Sequence, residues 1–388
     1  MIVGIASGAV SAGYVELLRN ATRVLGAQHW GRWSHLAVLG GVGVAIALLV
    51  RYLGNPGDVE LLVDNIHVGD RPADVRALRS LIPVSLLGIA AGSAIGPEAP
   101  LVQTTGTIGS WVGHRLQLPA ADRRILGITG MAAGFTVLFG APLGGALFAL
   151  EILHRRGLEY YEAMLPSALG ALSGWIAYTA LLRAGFRPVF EFPGLGSITF
   201  FDLALGVAAG VAGAGIATLF SWVIRAVRWA FARIDPRIRP VVGGLLLGGL
   251  AFASPYSLTF GEAQIDHIAT THLAVSVLLL AGACKLVAAA TIVSSGWRGG
   301  FIIPLFFMGA TVAVAVSHGI GGHEVVMLAS MMVATNVGVT KTPIGSTAVV
   351  AEMAGMRILP PALIAAVVAL FLTDGVSIIH TQRSRTAT

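Results

Sequence analysis

The sequence has 388 residues, of which 55% are hydrophobic and 11% are charged. A soluble domain usually carries about 25% charged residues, so the composition excludes an ordinary soluble protein and indicates a polytopic membrane protein. The net charge of +6 does not indicate a nucleic-acid partner, because the arginines stand in short clusters between apolar runs, as in cytoplasmic loops. The single cysteine, Cys284, excludes an intramolecular disulfide and a cysteine-based metal site. No metal or other cofactor is expected.

Fourteen apolar runs predict the helices. In chain order they cover residues 2–18, 36–53, 81–95, 100–113, 125–139, 142–153, 163–184, 200–230, 241–254, 273–293, 301–317, 324–335, 343–354 and 359–373. Several are shorter than the ~20 residues that a perpendicular helix needs to cross a bilayer. The prediction is therefore an all-α bundle of tilted, short and broken helices.

Two glycine and proline breaks interrupt the apolar runs, at Gly96-Pro97-Glu98-Ala99-Pro100 and at Gly299-Gly300-Phe301-Ile302-Ile303-Pro304. Irregular backbone in a membrane is tolerated only where it lines a cavity or is buried in protein, because lipid offers no hydrogen-bond partners. Each break has a proline near the start of the next run, where a missing N–H costs nothing. Both breaks therefore predict helix N-termini at a functional site.

Helix N-termini present free N–H groups and about half a positive charge, so two that point at one place would hold an anion without a basic side chain. Glu98 is the only carboxylate within the two breaks. An ionisable residue at a broken helix inside a membrane is a functional residue by default. The alternative is an acid that merely stabilises the helix start.

An internal repeat links the two breaks. Gly4–Gly8 matches Gly206–Gly210 at a shift of 202, Gly96–Leu101 matches Gly300–Leu305 at 204, and Ala141–Glu151 matches Thr342–Glu352 at 201. Three matching blocks occur in the same order in both halves and at nearly the same shift. They predict two membrane repeats, residues 1–190 and 191–388, which together form one transmembrane domain. Repeats with interruptions at corresponding positions are typical of transporters whose site lies near the midplane.

These motifs resemble those of the CLC family of chloride channels and chloride/proton exchangers. The resemblance rests on Gly96-x-Glu98-x-Pro100 followed by Val102-Gln103, on Ala141-Pro142-Leu143-x-Gly145 to Glu151, and on Gly299-Gly300 followed by Pro304. It implies a divergent, prokaryotic-type member with the family's inverted-repeat fold. It also implies a multi-pass homodimer of the cell membrane, in which each subunit moves chloride or another small anion, with protons as a second substrate.

The resemblance also implies roles for individual residues. Glu98 would be the gating glutamate and proton carrier, and the anion would be bound by the backbone of Gly96, Pro97, Glu98, Ala99, Gly300, Phe301, Ile302 and Ile303. The resemblance implies no catalytic residue.

Three positions depart from the family's pattern. Asp58 falls where the family has an anion-binding serine, Ile379 falls where it has a central tyrosine, and Ile152 replaces the inner glutamate of many exchangers. Asp58, Glu151 and Ile379 are therefore candidate pathway residues. The sequence begins late relative to the family and ends soon after His380, so the leading cytosolic helix and the C-terminal nucleotide-binding domains are not expected.

The sequence favours chloride transport by proton-coupled exchange gated by Glu98. The alternatives are an uncoupled chloride channel, a fluoride transporter of the same fold and, more remotely, an intramembrane enzyme. An enzyme would need paired catalytic groups, and the chain has neither an HExxH nor a GxSxG motif. For Glu151 and Glu352 a structural role is the main alternative, and Asp58, Glu60 and Asp64 fit a solvated loop better than a metal site.

Overall fold

The computed structural model describes residues 1–57, 75–155, 157–190, 192, 196–317, 319, 321 and 323–382. These residues form fifteen α-helices and no strand. In chain order the helices are α1 (Ile2–Leu25), α2 (Arg32–Leu53), α3 (Val75–Ala90), α4 (Glu98–Arg115), α5 (Ala120–Phe139), α6 (Pro142–Glu151), α7 (Met164–Leu182), α8 (Phe200–Phe231), α9 (Arg239–Ala253), α10 (Glu262–Thr270), α11 (Val275–Ser294), α12 (Ile302–Ser317), α13 (Glu324–Thr340), α14 (Pro343–Ala354) and α15 (Leu359–Leu372).

Each of the fourteen predicted apolar runs corresponds to one of these helices. The third run was predicted to reach residue 95, which is wrong. α3 ends at Ala90, and Gly92 then adopts a φ of 104°, a conformation that favours glycine. α10 was not predicted, because its sequence is largely polar. Its buried residues are Ile265 and Ile268.

The helix lengths confirm a polytopic membrane protein with short and broken helices. Within the described part of the chain, five helical segments are long and apolar enough to cross a membrane: Ile2–His29, Arg32–Leu53, Tyr161–Leu182, Phe200–Phe231 and Val275–Ser294. Some of the other helices are much shorter. α6 has 10 residues, which at 1.5 Å per residue reach about half of a hydrocarbon core of roughly 30 Å.

Close contact between helix backbones depends on glycine. α1 and α7 approach so closely that a Cβ atom on Gly8 would lie 2.1 Å from the carbonyl oxygen of Gly174. Lipid is as apolar as the side chains, so helices in a membrane associate through close packing of this kind. Gly4 and Gly109 allow similarly close contacts, where a Cβ would lie 2.4 Å from the Gly170 carbonyl oxygen and 2.0 Å from the Leu126 carbonyl oxygen.

Corresponding helix ends in the two halves have the same backbone geometry. α5 ends at Gly140 with φ 62° and ψ 26°, and α13 ends at Lys341 with φ 61° and ψ 36°. Each is followed two residues later by the proline that starts the next helix, Pro142 or Pro343. This agreement favours the two repeats, whose limits at residues 190 and 191 remain a prediction.

Candidate functional site: an acid between two helix N-termini

The two glycine and proline breaks meet through their backbones. The Gly96 N–H donates to the Gly300 carbonyl at 2.8 Å, and the Gly300 N–H donates to the Gly96 carbonyl at 2.7 Å. A Cβ atom on Gly300 would lie 2.7 Å from the Glu98 Cβ, and one on Gly96 would lie 2.3 Å from a Glu98 carboxylate oxygen. The pair of glycines thus brings the two halves of the chain together around one side chain.

Both breaks lead into helices, as predicted. α4 begins at Glu98, with Pro97 as its N-cap residue and Pro100 in its first turn. α12 begins at Ile302, with Pro304 in its first turn. Both prolines inside the helices stand where the backbone N–H has no partner within the helix. The free N–H groups therefore lie at the junction of the two breaks.

Glu98 binds the start of the opposite helix. Its Oε1 accepts a hydrogen bond from the Ile303 N–H at 2.7 Å, and the residue is only 1% exposed. Its Oε2 has no hydrogen-bond partner among the described residues. A carboxylate at this end of α12 is stabilised by the helix dipole and by a charge-assisted hydrogen bond. The side chain therefore lies where a small anion would also be stabilised.

A cavity of about 130 Å³ lies beside Glu98. Its walls are mainly apolar and include Leu81, Val102, Phe135, Ile152, Ile378 and Ile379. Its polar side chains are Glu98, Gln103, Arg228, Arg298 and Thr340, together with Trp297. Residues of both breaks also line these walls, so the cavity borders the predicted site.

The structure brings most of the candidate residues together. Ala99, Gly300, Phe301, Ile302 and Ile379 line the cavity. The remaining residues of the breaks lie next to it, since Gly96 pairs with Gly300, Pro97 caps α4 and Ile303 donates to Glu98. Asp58 lies outside the described residues.

Glu151 lies in a different environment, at the contact between α6 and α14. It is fully buried, and its two oxygens accept from the N–H groups of Ile344 at 3.2 Å and Gly345 at 2.7 Å. Glu352 makes the reciprocal contact, with Oε1 accepting from the Leu143 N–H at 3.0 Å. Each glutamate thus satisfies free N–H groups at the start of the partner helix.

Several cavity residues were not predicted as site residues. Arg228 was counted only with the basic clusters, Gln103 was only part of a motif, and Thr340 was not considered. No periodicity or spacing places Arg228 and Thr340 near Glu98, because they come from α8 and α13. Gln103 follows Glu98 on α4, so the motif itself could have identified it. Among the described residues, no group of three or more His, Cys, Asp or Glu side chains could hold a metal ion.

Comparison with known proteins identifies the family. The sequence profile of the family described as voltage gated chloride channel matches residues 42–374. The chain belongs to this family, the CLC family. It is 26% identical to a chloride/fluoride channel protein of Pseudomonas syringae pv. tomato, over 98% of this chain and 85% of that protein. It is 27% identical to the voltage-gated ClC-type chloride channel ClcB of Shigella flexneri, over 74% of this chain and 70% of that protein.

Two solved structures show the same fold. A CLC-type fluoride/proton antiporter superposes with a TM-score of 0.84, at 24% identity, over 98% of this chain and 96% of that one. A slow cyanobacterial Cl⁻/H⁺ antiporter superposes with a TM-score of 0.82, at 20% identity, over 96% and 93%. The two structures show that the CLC protein described here has an all-helical fold. Its membership of the family makes it a membrane protein of anion transport and not an enzyme.

Proposed function

We propose that this CLC protein exchanges chloride for protons across a prokaryotic cell membrane, and that Glu98 is its gate. One observation carries the proposal, the 2.7 Å hydrogen bond from the Ile303 N–H of α12 to the Glu98 Oε1 of α4. Within the stretches Gly96 to Ala99 and Gly300 to Ile303, the anion is bound by the backbone N–H groups of Glu98, Ala99, Phe301 and Ile302, and by that of Ile303 once Glu98 leaves it. Pro97 has no N–H group, and the N–H groups of Gly96 and Gly300 are bound to each other's carbonyls. A carboxylate and a halide compete for such groups, because both are stabilised by the same partial positive charge.

The competition couples the gate to protons. A charged Glu98 carboxylate binds at the start of α12, and a protonated, neutral Glu98 has lost the attraction that holds it there. Protonation therefore opens the anion pathway, and the protonated side chain carries one proton as it moves. This behaviour distinguishes an exchanger from an uncoupled channel, in which the anion would move without a proton.

The protons reach Glu98 through water in the cavity. Ile152 stands where many exchangers carry an inner glutamate, and it lines the cavity together with Ile379. Both oxygens of Glu151 accept from α14, which favours a structural role for Glu151 over a place on the proton route. Water in the 130 Å³ cavity is then the medium of transfer, since a buried water needs polar partners and space of this kind.

Fluoride is the second candidate substrate. The sequence relative from Pseudomonas syringae is named a chloride/fluoride channel protein, and one of the structural neighbours is a fluoride/proton antiporter. Ile379 in the cavity wall also removes the hydroxyl group that the family's tyrosine would contribute. Parallel flux measurements with chloride and fluoride gradients distinguish the two substrates.

The test of the gate is Glu98→Gln, which keeps the size of the side chain and removes its charge. In proteoliposomes with a chloride gradient, we expect wild-type flux to rise as the pH falls and to move protons. Glu98→Gln should conduct anions at a rate independent of pH and without proton movement. Glu16→Gln, which changes an exposed carboxylate on α1, is the matched control and should behave as wild type.

Two results would contradict the proposal. A wild-type protein that moves anions but no protons is an uncoupled channel. A Glu98→Gln variant that keeps the wild-type pH dependence shows that another group is the gate.

A further inference from the structure

α8 leads from the two breaks to the cytoplasmic side of the protein. Its Phe220 ring lies 6.2 Å from the Phe301 ring of the second break, measured between the ring centroids. Arg228 stands in the last turn of the same helix, about 12 Å farther along the axis at roughly 1.5 Å per residue. The cluster of arginines around it is of the kind that marks the cytoplasmic side of a membrane protein. Its other members are Arg225, Arg233, Arg237 and Arg239.

Arg228 is the member of this cluster that lies at the cavity. The Arg225 Nη2 donates to the Ser377 carbonyl at 3.3 Å, and the Arg233 guanidinium carbon lies 3.2 Å from the centre of the Trp229 ring. Neither arginine lines the cavity. Arg228 does line it and is exposed. A residue that is both exposed and part of the wall lies where a cavity opens, so Arg228 marks a mouth of the cavity on the cytoplasmic side.

The walls of the cavity suit the attraction of anions at this mouth. Among the described residues that line it, the basic ones are Arg228 and Arg298, and the acidic one is Glu98. Arg298 also donates to the Asn55 side chain at 3.4 Å. Most of the other lining side chains are apolar, and apolar walls concentrate the field of a nearby charge. A positive charge at the mouth therefore raises the local concentration of anions and the rate at which they enter.

We propose that Arg228 recruits the transported halide at the cytoplasmic mouth, where its charge attracts the ion before the ion reaches the two breaks. The proposal rests on the proposed function only in requiring that a small anion passes through this cavity, and it is independent of proton coupling. An exposed charge is largely screened beyond about 8 Å at physiological ionic strength. At about 12 Å from the breaks, Arg228 acts mainly on an ion that enters and little on Glu98. The alternative role is stabilisation of the negative end of the α8 dipole.

The central experiment measures chloride flux in inverted membrane vesicles, in which the cytoplasmic side faces the bath. The chloride concentration of the bath is varied for wild type and for Arg228→Gln. We expect the KM for chloride to rise about fivefold at an unchanged maximal rate, which corresponds to roughly 1 kcal/mol between unit charges about 4 Å apart in water. Arg225→Gln is the matched control, because it removes an exposed arginine one turn earlier on α8 that does not line the cavity. Its KM should remain close to that of wild type.

Two further variants separate the charge from the shape of the side chain. Arg228→Lys keeps the charge, so its KM should be close to that of wild type. Arg228→Glu reverses the charge, so its KM should exceed that of Arg228→Gln. The differences should shrink when the ionic strength is raised with the sodium salt of a large organic anion, because mobile ions screen exposed charges. A role at the helix end would instead lower the unfolding temperature and leave the KM unchanged.

An unchanged KM in a folded Arg228→Gln overturns the proposal. So does an equal rise of the KM in Arg225→Gln, which would indicate a general effect of surface charge, and so does a KM of Arg228→Lys equal to that of Arg228→Gln. If Arg228→Gln does not fold, the wild type decides. A wild-type KM that rises with ionic strength supports the proposal, and one that is independent of ionic strength overturns it. A wild type that moves chloride without protons overturns the proposed exchange, while the KM comparison still tests Arg228.

Discussion

At the scale of single residues, the site depends on how little space surrounds Glu98. The residue is 1% exposed and has one oxygen bound to the Ile303 N–H. Gly96 and Gly300 lie against its side chain without a Cβ atom of their own. The docked position of Glu98, the proposed gate, therefore requires glycine at both ends of the backbone pair.

Gly300→Ala tests this requirement. The new Cβ would lie 2.7 Å from the Glu98 Cβ and 3.0 Å from the Ala99 nitrogen, so Glu98 has to shift away from Ile303. We expect anion flux that no longer falls as the pH rises. Gly249→Ala on α9 is the control, because a Cβ there meets nothing within 4 Å. A Gly300→Ala protein with normal pH dependence would show that docking tolerates the added methyl group.

Lys341 is a second residue whose environment decides its role. It is 1% exposed, and its Nζ donates to the Gly338 carbonyl at 2.9 Å and to the Thr373 carbonyl and hydroxyl at 2.6 and 2.8 Å. These carbonyls belong to the last turn of α13 and the C-cap residue of α15, where the helix dipole is negative. The same residue ends α13 with a positive φ, which is uncommon outside glycine.

We expect Lys341→Met to destabilise the protein by about 1.5–3 kcal/mol, the range for hydrogen bonds to a charged group. The measurement is thermal unfolding in detergent, followed by tryptophan fluorescence. Arg225→Met is the control, because Arg225 is exposed and makes one long hydrogen bond, to the Ser377 carbonyl at 3.3 Å. Equal unfolding temperatures for the two variants would exclude a structural role for the buried ammonium group.

The residues of the site differ in how far the sequence could predict them. Glu98 and the backbone of both breaks could be predicted from the sequence, because an acid beside glycines and prolines in an apolar segment indicates a functional site. The contact between Glu98 and Ile303 spans 205 residues and depends on the folded backbone. Lys341 has ordinary neighbours in sequence, and only the folded structure shows that it is buried.

At the scale of helices, α6 and α14 form a reciprocal pair. Each begins with a proline and ends near a glutamate that binds the start of the other. The repeat indicated that Glu151 and Glu352 are equivalent, but it did not predict that each would bind the opposite repeat. Helix packing is close here as well, since a Cβ on Gly345 would lie 2.5 Å from the Phe148 Cα.

The two glutamates should not contribute equally. Glu151 is fully buried and uses both oxygens, whereas Glu352 is partly exposed and its Oε2 has no partner among the described residues. We expect Glu151→Gln to lower the unfolding temperature more than Glu352→Gln, because it leaves a buried N–H of α14 without its acceptor. Thermal unfolding of the two variants side by side tests this ranking, and the reverse order would refute it.

At the scale of the whole molecule, the short helices α6 and α14 leave apolar positions at their starts uncovered. Leu143 is 52% exposed and Ile344 is 42% exposed. Neither helix is long enough to cross the hydrocarbon core, and irregular backbone inside the core has to be covered by protein. Exposed leucine and isoleucine on α7 extend the same face. A second copy of the chain is the proposed cover, which accords with the homodimer that the family resemblance implies.

We therefore expect Leu172→Trp on α7 to weaken the dimer, because the larger ring does not fit a packed interface. The mass of the detergent-solubilised protein, from light scattering, should shift toward the monomer. Leu219→Trp on α8 is the control, because Leu219 is similarly exposed, at 52% against 47%, and lies on another helix. A wild-type protein that is monomeric at all concentrations would contradict the proposal.

Much of the overall fold could be predicted, since all fourteen apolar runs became helices and the family was recognised from short motifs. The missed helix, α10, is polar and is held by two isoleucines that pack on other elements. Hydropathy detects segments that face lipid, and a polar helix at the edge of the bundle gives no such signal.

The contact between the two breaks also has a consequence for synthesis of the protein. The chain enters the membrane from its N-terminus, so Glu98 is inserted long before Ile303, which follows 205 residues later. During that interval the acid has no helix dipole of α12 to stabilise it. Since a charged side chain in the bilayer is costly, the growing chain has to keep Glu98 protonated or in contact with water until its second half arrives. The proposed anion site is thus among the last parts of the protein to form.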